Sequence, residues 1–299
     1  MKKFIAIISS ALMLSGCCVT DKNCAPKQDQ HLTVATFNLR LAPKPESNMW
    51  QLRKDGCGQL ILAHNFDVFG TQEGFLHQLE DLKKYTGYNY IGRARDDGKT
   101  QGEFSAIFYN PSRLELLDKG DFWFAQTPDQ PVKGWDAMCK RICSWGKFKD
   151  KATAQEFYFF SLHFDHKGKI AREESAKLLL KKIKEIAKDK TFFCVGDFNL
   201  KADMPPMQII FKDPIIQDSK LVSKTKPYGT EGTYHAFKGI PDRTRIDYIL
   251  SSKNVEVLSY AVITDKLTNF DILPPAPKGK ENPQYPSDHF PVAIKTIIK

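Results

Sequence analysis

The chain has 299 residues, of which 41% are hydrophobic, 12% aromatic and 26% charged, and it carries a formal charge of +9 at pH 7. These proportions are typical of a globular protein, and the sequence shows no internal repeat or low-complexity tract. The 7 cysteines show no convincing zinc-site spacing. The basic excess favours anionic partners, such as nucleic acid, phosphorylated small molecules or lipid headgroups.

The first residues resemble a secretory signal rather than part of the fold. The basic pair Lys2-Lys3 precedes an apolar run over residues 4–14, which is too short to span a bilayer comfortably. Leu14-Ser15-Gly16-Cys17 then resembles the bacterial lipobox, in which cysteine becomes the lipidated first residue. We predict a lipoprotein signal peptide at 1–16, a tether at 17–30 and one domain over 31–299; an ordinary signal peptide with a chance cysteine is the alternative.

Export and membrane anchoring follow from this interpretation. The residue after Cys17 is Cys18, not the aspartate that resembles an inner-membrane retention signal. We therefore expect a lipoprotein anchored through Cys17, at the outer membrane or the cell surface and exposed to the periplasm or the exterior. Removing residues 1–16 takes away two lysines and lowers the formal charge from +9 to +7.

The first half of the domain mixes strands and helices. Alternating or continuous apolar runs predict strands at 31–37, 67–72, 88–91, 104–109, 114–124, 141–149 and 157–163. Helical spacing predicts helices at 50–65, 74–84 and 170–188, the last with one apolar and one lysine-rich face.

The second half continues the same mixture. Strands are predicted at 191–195, 246–250, 255–263 and 290–298, with a short helix at 204–211 and a proline-rich loop at 266–285. Many strands with helices in each half favour a single α+β domain, in which two sheets pack face to face with the helices outside.

One strand end stands out. Residues 191–195 form an apolar run that leads into Gly196-Asp197-Phe198-Asn199. A strand buried on both faces has this appearance, and Asp197 and Asn199, two residues apart, can point the same way from its end. By itself the stretch also fits a simple Asx-type turn.

Polar residues follow other predicted strands as well. The candidates are Asn38, Glu73, His163, Asp165, His166, Asp197, Asn199, Asp247, Asp288 and His289. If these strand ends share one rim, they supply what phosphoester hydrolysis requires. Hard oxygen ligands suit Mg²⁺, a carboxylate or imidazole can activate water, and amide and imidazole N–H groups can stabilise a charged phosphorus centre.

Six motifs occur in order along the chain: Phe37-Asn38, Gln72-Glu73, Ser161-Leu162-His163, Gly196-Asp197-Phe198-Asn199, Arg245-Ile246-Asp247-Tyr248-Ile249 and Ser287-Asp288-His289-Phe290-Pro291-Val292. Together they resemble the endonuclease/exonuclease/phosphatase superfamily, which includes deoxyribonuclease I. The resemblance implies a DNase I-like four-layer αββα sandwich of two mostly antiparallel sheets, with the site at one edge of both sheets.

The resemblance also implies a metal site. Glu73 corresponds to the principal metal ligand, with Asn38 beside it and Asp288 near the metal. The expected ion is Mg²⁺, with Mn²⁺ as a substitute.

Catalytic roles are implied in the same way. Asp197 corresponds to the residue that positions or deprotonates water, and Asn199 to one that stabilises the transition state. Asp247 and His289 correspond to a carboxylate–imidazole pair, and His163 to a phosphate-contacting histidine and general acid. Which group is base and which is acid stays open.

Substrate contacts are less constrained. Arg141 starts a strand where nucleases of the superfamily present an arginine to phosphate, although a solvated charge fits equally. His166 and Asp165 either contact substrate or only shape their loop. Outside the six motifs, Trp123, Trp135 and Tyr234 could stack on a base, but packing is the simpler interpretation for each.

The sequence therefore predicts a monomeric, metal-dependent phosphoester hydrolase in which water attacks phosphorus in line. Nucleic acid is slightly favoured as substrate over small phosphorylated molecules or lipid headgroups, for which a phosphatase or sphingomyelinase-like esterase is the alternative. A non-catalytic surface binding module is a further alternative.

We expect Asp197→Ala and His289→Ala to abolish hydrolysis and to leave thermal unfolding nearly unchanged. Whether Cys139 and Cys143 are bridged is open.

Overall fold

The computed structural model describes residues 30–241, 244–270 and 283–299. The predicted signal peptide, Cys17, the tether up to residue 29 and most of the proline-rich loop lie outside these residues. The strands are β1 (Leu32–Asn38), β2 (Val68–Gln72), β3 (Asn89–Ile91), β4 (Ile107–Tyr109), β5 (Leu114–Trp123), β6 (Ile142–Asp150), β7 (Glu156–His163), β8 (Phe192–Asp197), β9 (Ile216–Asp218), β10 (Asp247–Ser252), β11 (Val255–Val262) and β12 (Val292–Ile298). The α-helices are α1 (Trp50–Ala63), α2 (Leu76–Thr86), α3 (Lys169–Ile186) and α4 (Pro205–Lys212).

The strands form two six-stranded sheets. The first has the order β11-β12-β1-β2-β4-β3 and the second the order β5-β6-β7-β8-β10-β9. In the first sheet β1 and β2 run parallel, and in the second β7 and β8 do. The other described pairs are antiparallel, so each sheet has a parallel pair at its centre.

Side chains alternate between the two faces of each strand, and this alternation divides the core into three layers. In β1, Leu32 and Val34 enter the cluster between the two sheets, whereas Ala35 and Phe37 enter the cluster that contains residues of α1 and α2. In β8, Phe193 and Val195 face the other sheet, and Phe192 and Cys194 face α3 and α4. Each central strand is therefore buried on both faces, which explains its nearly continuous apolar sequence.

The predicted four-layer αββα architecture is confirmed, and the element boundaries differ by only a few residues in most places. β4 is shorter than the predicted strand because Phe104 instead forms isolated bridges with Gly74 and Ala94. The three-residue strand β9 was missed, since so short a segment shows no periodicity; it lies at the sheet edge beside β10. The last strand begins after Pro291, which lacks the N–H that a ladder needs.

Within the described residues, no helix is both long and apolar enough to cross a membrane. Cys139 and Cys143 are both free thiols in the structure, and buried Cys194 packs as a small apolar residue. The domain boundaries at residues 16 and 30 stay a prediction.

Candidate active site

Most of the predicted site residues converge at one rim of the sandwich. Because β1 and β2 are parallel, as are β7 and β8, each pair delivers two C-terminal ends to the same edge of its sheet. In the second sheet Asp197 pairs in register with His163 on one side and with Asp247 on the other. The Asn38 amide at the end of β1 lies 3.1 Å from the Asp197 carboxylate at the end of β8, so the corresponding edges of the two sheets meet.

Backbone conformation directs these side chains. Gly196 has φ +151°, and a Cβ at this position would lie 2.1 Å from the Leu162 carbonyl oxygen, so only glycine lets β8 approach β7 here. Glu73 and Asn199 adopt left-handed conformations, with φ 63° and 53°. Such conformations are uncommon outside glycine and occur frequently at functional sites.

Asn38 links the two buried carboxylates at the centre. Its Nδ2 donates to Glu73 Oε1 at 3.2 Å and to Asp197 Oδ2 at 3.1 Å. Its Oδ1 accepts the Arg40 backbone N–H at 3.0 Å, which fixes the orientation of the amide. Glu73 also accepts the Leu41 N–H at 2.9 Å. Asn38 therefore bridges two buried carboxyl groups that come from different sheets.

Glu73, Asp197 and His289 have ligand atoms that all lie within 4.8 Å of one another. Carboxylate oxygens from two sheets, both largely buried, suit a hard divalent cation. Asp288, predicted to lie near the metal, has Oδ2 3.4 Å from Arg40 Nε, and Arg40 Nη1 lies 3.9 Å from Glu73 Oε2. The rim thus contains a possible metal site, next to an arginine that partly balances its negative charge.

His289 and Asp247 form a buried pair, with 2.9 Å between His289 Nδ1 and Asp247 Oδ2. Burial opposes a charge on the imidazole, but the carboxylates of Asp247, Asp197 and Asp288 together raise its pKa to about 10. His289 is thus an imidazolium at neutral pH, with Nε2–H 3.9 Å from Asp197 Oδ2. Burial and then the Asp247 charge raise the pKa of Asp197 to about 7, against the effect of His289.

Asn199 determines the tautomer of His163. Asn199 Nδ2 lies 3.0 Å from the Phe164 carbonyl oxygen, which requires an N–H donor, and 2.9 Å from His163 Nε2. His163 Nε2 therefore accepts, and its proton lies on Nδ1, 4.0 Å from Glu103 Oε2. Burial, followed by the nearby Arg141 and Arg95 charges, lowers the pKa of His163 well below its usual value. His163 is neutral here.

Arg95 and Glu103 belong to the site but were missed in the sequence. Both lie in the segment between β3 and β4, and Arg95 makes two parallel hydrogen bonds to Glu103, at 2.6 and 2.8 Å. Glu103 thereby connects Arg95 with His163. No strand-end position or spacing marks these residues, because the loop that carries them is positioned only by the assembled fold.

Arg141 and His166 lie together at the same side of the rim. Arg141 Nη2 is 3.0 Å from His166 Nδ1, and burial lowers the pKa of His166, so the neutral imidazole accepts this hydrogen bond. Asp165 accepts backbone N–H groups of Met138, Cys139, Lys167 and Gly168, and its Oδ2 lies 3.6 Å from Arg141 Nε. It therefore shapes its loop and also supplies a counter-charge to Arg141.

These groups line a cleft of about 470 Å³. Glu73, His163, Asp197, Asn199 and His289 lie along it together with Arg40, Arg95, Arg141 and His166. Asn38, Asp247 and Asp288 are at most 3% exposed and lie beneath the side chains that line the cleft. Trp123 is 1% exposed and packs, whereas Tyr234 is 38% exposed and borders the cleft.

Arg53 supports the rim from inside the fold. It is fully buried and donates hydrogen bonds to the backbone carbonyls of Leu39, Arg40, Asn48 and Pro286. It thus ties the segment that follows β1 to the segment that precedes β12, and both segments carry site residues.

Replacing Arg53 by methionine is expected to lower the free energy of unfolding by about 3 kcal/mol, because several buried carbonyls lose their donor. Urea unfolding monitored by tryptophan fluorescence would measure the change. Arg93→Met is the matched control, since the Arg93 side chain is 53% exposed and its replacement should change stability by less than about 0.5 kcal/mol. Equal effects of the two substitutions would contradict this role.

Comparisons with known proteins agree with this geometry. Residues 35–289 match the model of the Endonuclease/Exonuclease/phosphatase family. A crystal structure of an endonuclease/exonuclease/phosphatase family protein from Bacteroides thetaiotaomicron is 42% identical, with a TM-score of 0.83 over 90% of this chain and 98% of that one. The mannosyl-6-phosphatase of the same organism is also 42% identical, with a TM-score of 0.81 over 89% of this chain and 99% of that one.

A more distant relative is known from sequence. An uncharacterised protein of Acanthamoeba polyphaga mimivirus is 31% identical over 160 residues, which is 50% of this chain and 59% of the viral protein. The family match spans the rim residues from β1 to His289, and the solved structures share the sandwich across nearly their whole length. The chain therefore belongs to the endonuclease/exonuclease/phosphatase family of phosphoester hydrolases.

Proposed function

We propose that this protein is a divalent-metal-dependent phosphomonoesterase that acts on a phosphorylated sugar. The observation that carries the proposal is Arg141. Its side chain is 5% exposed, and its Nε lies 3.6 Å from the Asp165 carboxylate, but neither Nε nor Nη1 makes a hydrogen bond to the described residues. Buried guanidinium donors that lack hydrogen bonds are costly, and a phosphate oxygen beside His163 and Asn199 would add such bonds.

The proposed chemistry uses the rim residues in distinct roles. Glu73, which faces Asp197 across the Asn38 amide, would be the principal ligand of a divalent metal ion. A bound Mg²⁺, or Mn²⁺ in its place, would neutralise the charge on the phosphate. Asp197 takes the proton of the attacking water as its oxygen bonds to phosphorus and the P–O bond to the sugar breaks, and the leaving sugar oxygen takes a proton from solvent. The His289 imidazolium donates to the phosphoryl group through Nε2–H. Asp247 keeps His289 protonated and oriented.

A terminal phosphate fits the distribution of positive charge better than a nucleic-acid backbone. The guanidinium groups of Arg95 and Arg141 line the cleft, with the neutral His166 beside Arg141, and this local positive charge suits a monoester with two negative charges. The lysine-rich face of α3 is largely neutralised by its own acidic neighbours. Lys184 pairs in addition with Asp213 of the segment after α4. The basic excess that favoured nucleic acid therefore does not form a bare track along this helix.

The mannosyl-6-phosphatase of Bacteroides thetaiotaomicron supports the same choice of substrate class, since the similarity covers 99% of that chain at 42% identity. Hexose 6-phosphates are accordingly the first substrates to test. A nuclease remains the second candidate, favoured by the formal charge of +9.

A substrate panel on purified residues 25–299 tests the proposal. With Mg²⁺ or Mn²⁺, we expect release of inorganic phosphate from mannose 6-phosphate and complete loss of turnover with EDTA. Cleavage of single- or double-stranded oligonucleotides that weakens steeply with salt, without phosphate release from sugars, would instead identify a nuclease. Turnover of sphingomyelin would indicate the lipase-like alternative. Inactivity on every substrate, with metal bound, would favour the binding module.

We propose further that the protein is exported, monomeric and anchored through Cys17. The lipobox-like Leu14-Ser15-Gly16-Cys17 supports the anchor. In a bacterial host, Cys17→Ser should lose metabolic palmitate labelling and appear in the soluble fraction, while Cys24→Ser should keep both properties of the wild type. Palmitate on the Cys17→Ser protein would contradict the proposal, and analytical ultracentrifugation of the soluble domain tests the monomer.

A further inference from the structure

The cleft has one wall element that the phosphate chemistry does not use. Tyr234 lines the cleft in the segment between β9 and β10, and its ring centroid lies 5.0 Å from that of the His289 imidazole. Tyr234 is 38% exposed, so it contributes little to the core. Leu41 and Ile246 also border the cleft and add apolar surface to its lining.

The backbone around Tyr234 is held rigidly against the catalytic strands. Tyr234 forms an isolated antiparallel bridge with His289. The residue before it, Thr233, accepts the N–H groups of Ile246 and Asp247 through Oγ1 and accepts the Phe290 N–H through its carbonyl. An exposed aromatic ring that is fixed so firmly next to a reacting group is suited to ligand contact rather than to folding.

From this arrangement we infer that Tyr234 forms a subsite for the sugar ring of the substrate, which deepens the proposed function and rests on it. The part of the cleft lined by Arg141 and the neutral His166 takes the phosphate. The uncharged remainder of a hexose phosphate presents C–H groups on one face of its ring, and an aromatic surface binds such a face without requiring charge. Tyr234 thereby distinguishes a cyclic leaving group from an acyclic one.

The test compares two primary phosphomonoesters that differ in the ring. For Tyr234→Ala we expect kcat/KM for mannose 6-phosphate to fall about tenfold or more, mainly through a higher KM, while kcat/KM for glycerol 3-phosphate stays within about twofold of the wild type. Tyr234→Phe keeps the ring and should resemble the wild type on both substrates. Tyr228→Ala is the matched control, because Tyr228 is 75% exposed and is not part of the cleft lining.

The outcomes separate this subsite from the proposed function. Equal losses on both substrates would overturn the subsite and indicate that Tyr234 acts by positioning His289. Unchanged kinetics of Tyr234→Ala on mannose 6-phosphate would also overturn it, with the phosphatase function intact. If the wild type cleaves oligonucleotides but releases no phosphate from sugars, the proposed function fails, and the sugar subsite fails with it.

Discussion

Replacing Asp197 by asparagine is expected to lower kcat/KM about 10³-fold or more and to leave the protein at least as stable as the wild type at pH 8. The activity falls because asparagine cannot accept the proton of the attacking water. The amide oxygen can still accept the Asn199 N–H, which lies 2.8 Å from Asp197 Oδ1, although the hydrogen bond from Asn38 Nδ2 to Oδ2 is lost. Stability is retained because removal of the buried charge at pH 8 outweighs that hydrogen bond. Activity assays with Mg²⁺ and urea unfolding of the metal-free protein measure the two effects.

The pH dependence provides the control for this variant. Burial raises the pKa of Asp197 from 3.8 to about 7, so the folded metal-free protein holds this proton more tightly than the unfolded chain does. The charged carboxylate therefore destabilises the fold as the pH rises through this range. Asp197→Asn should gain stability relative to the wild type above about pH 7 and lose this advantage as the pH falls towards 3.8. Full activity of the variant would refute the role of Asp197.

Replacing His289 by glutamine is expected to lower the activity about 10²-fold or more. Near pH 6 it should also lower the free energy of unfolding by about 3 kcal/mol. The structure revises our sequence-based expectation that loss of this imidazole would leave unfolding nearly unchanged. His289 pairs with Asp247, which is 1% exposed, and its removal leaves that carboxylate buried without a counter-charge. Denaturant unfolding across a pH series measures the stability, and phosphate release measures the activity.

The sign of the pH effect follows from the raised pKa of His289. The pair contributes its full stability below the ordinary value of 6.5, and this contribution is lost as the pH rises towards about 10. The stability lost in His289→Gln should therefore shrink over the same range. Asp247→Asn combined with His289→Gln should regain part of the stability but none of the activity. A stability loss independent of pH would contradict the ion pair.

Local patterns in the sequence predicted most of the fold. Apolar runs such as the one before Asp197, and the helical spacing of α3, depend on neighbours only a few residues apart. These patterns did not predict short elements correctly. The strand β9 has only three residues, and β4 is shorter than its apolar run because Phe104 pairs outside the strand.

The site was predicted in part for the same reason. Strand ends are visible in a sequence, so Asn38, His163, Asp197 and Asp247 could be recognised as candidates before their distances were known. Arg95 and Glu103 could not, because a loop residue carries no periodic signal and its partners are chosen by the packing of distant segments.

The sequence by itself determined which strands are buried, which polar residues terminate them and which family's motifs they form, since each of these is a property of short contiguous segments. Only the tertiary structure decided that Asn38 bridges Glu73 and Asp197, that the acidic residues of α3 and Asp213 neutralise its lysines, and that Arg141 is buried at the cleft with its Nε 3.6 Å from the Asp165 carboxylate. Asn38 and Asp197 are 159 positions apart, and their contact exists only because two sheets pack face to face. Charge pairing and burial depend on such long-range contacts, which periodicity does not encode.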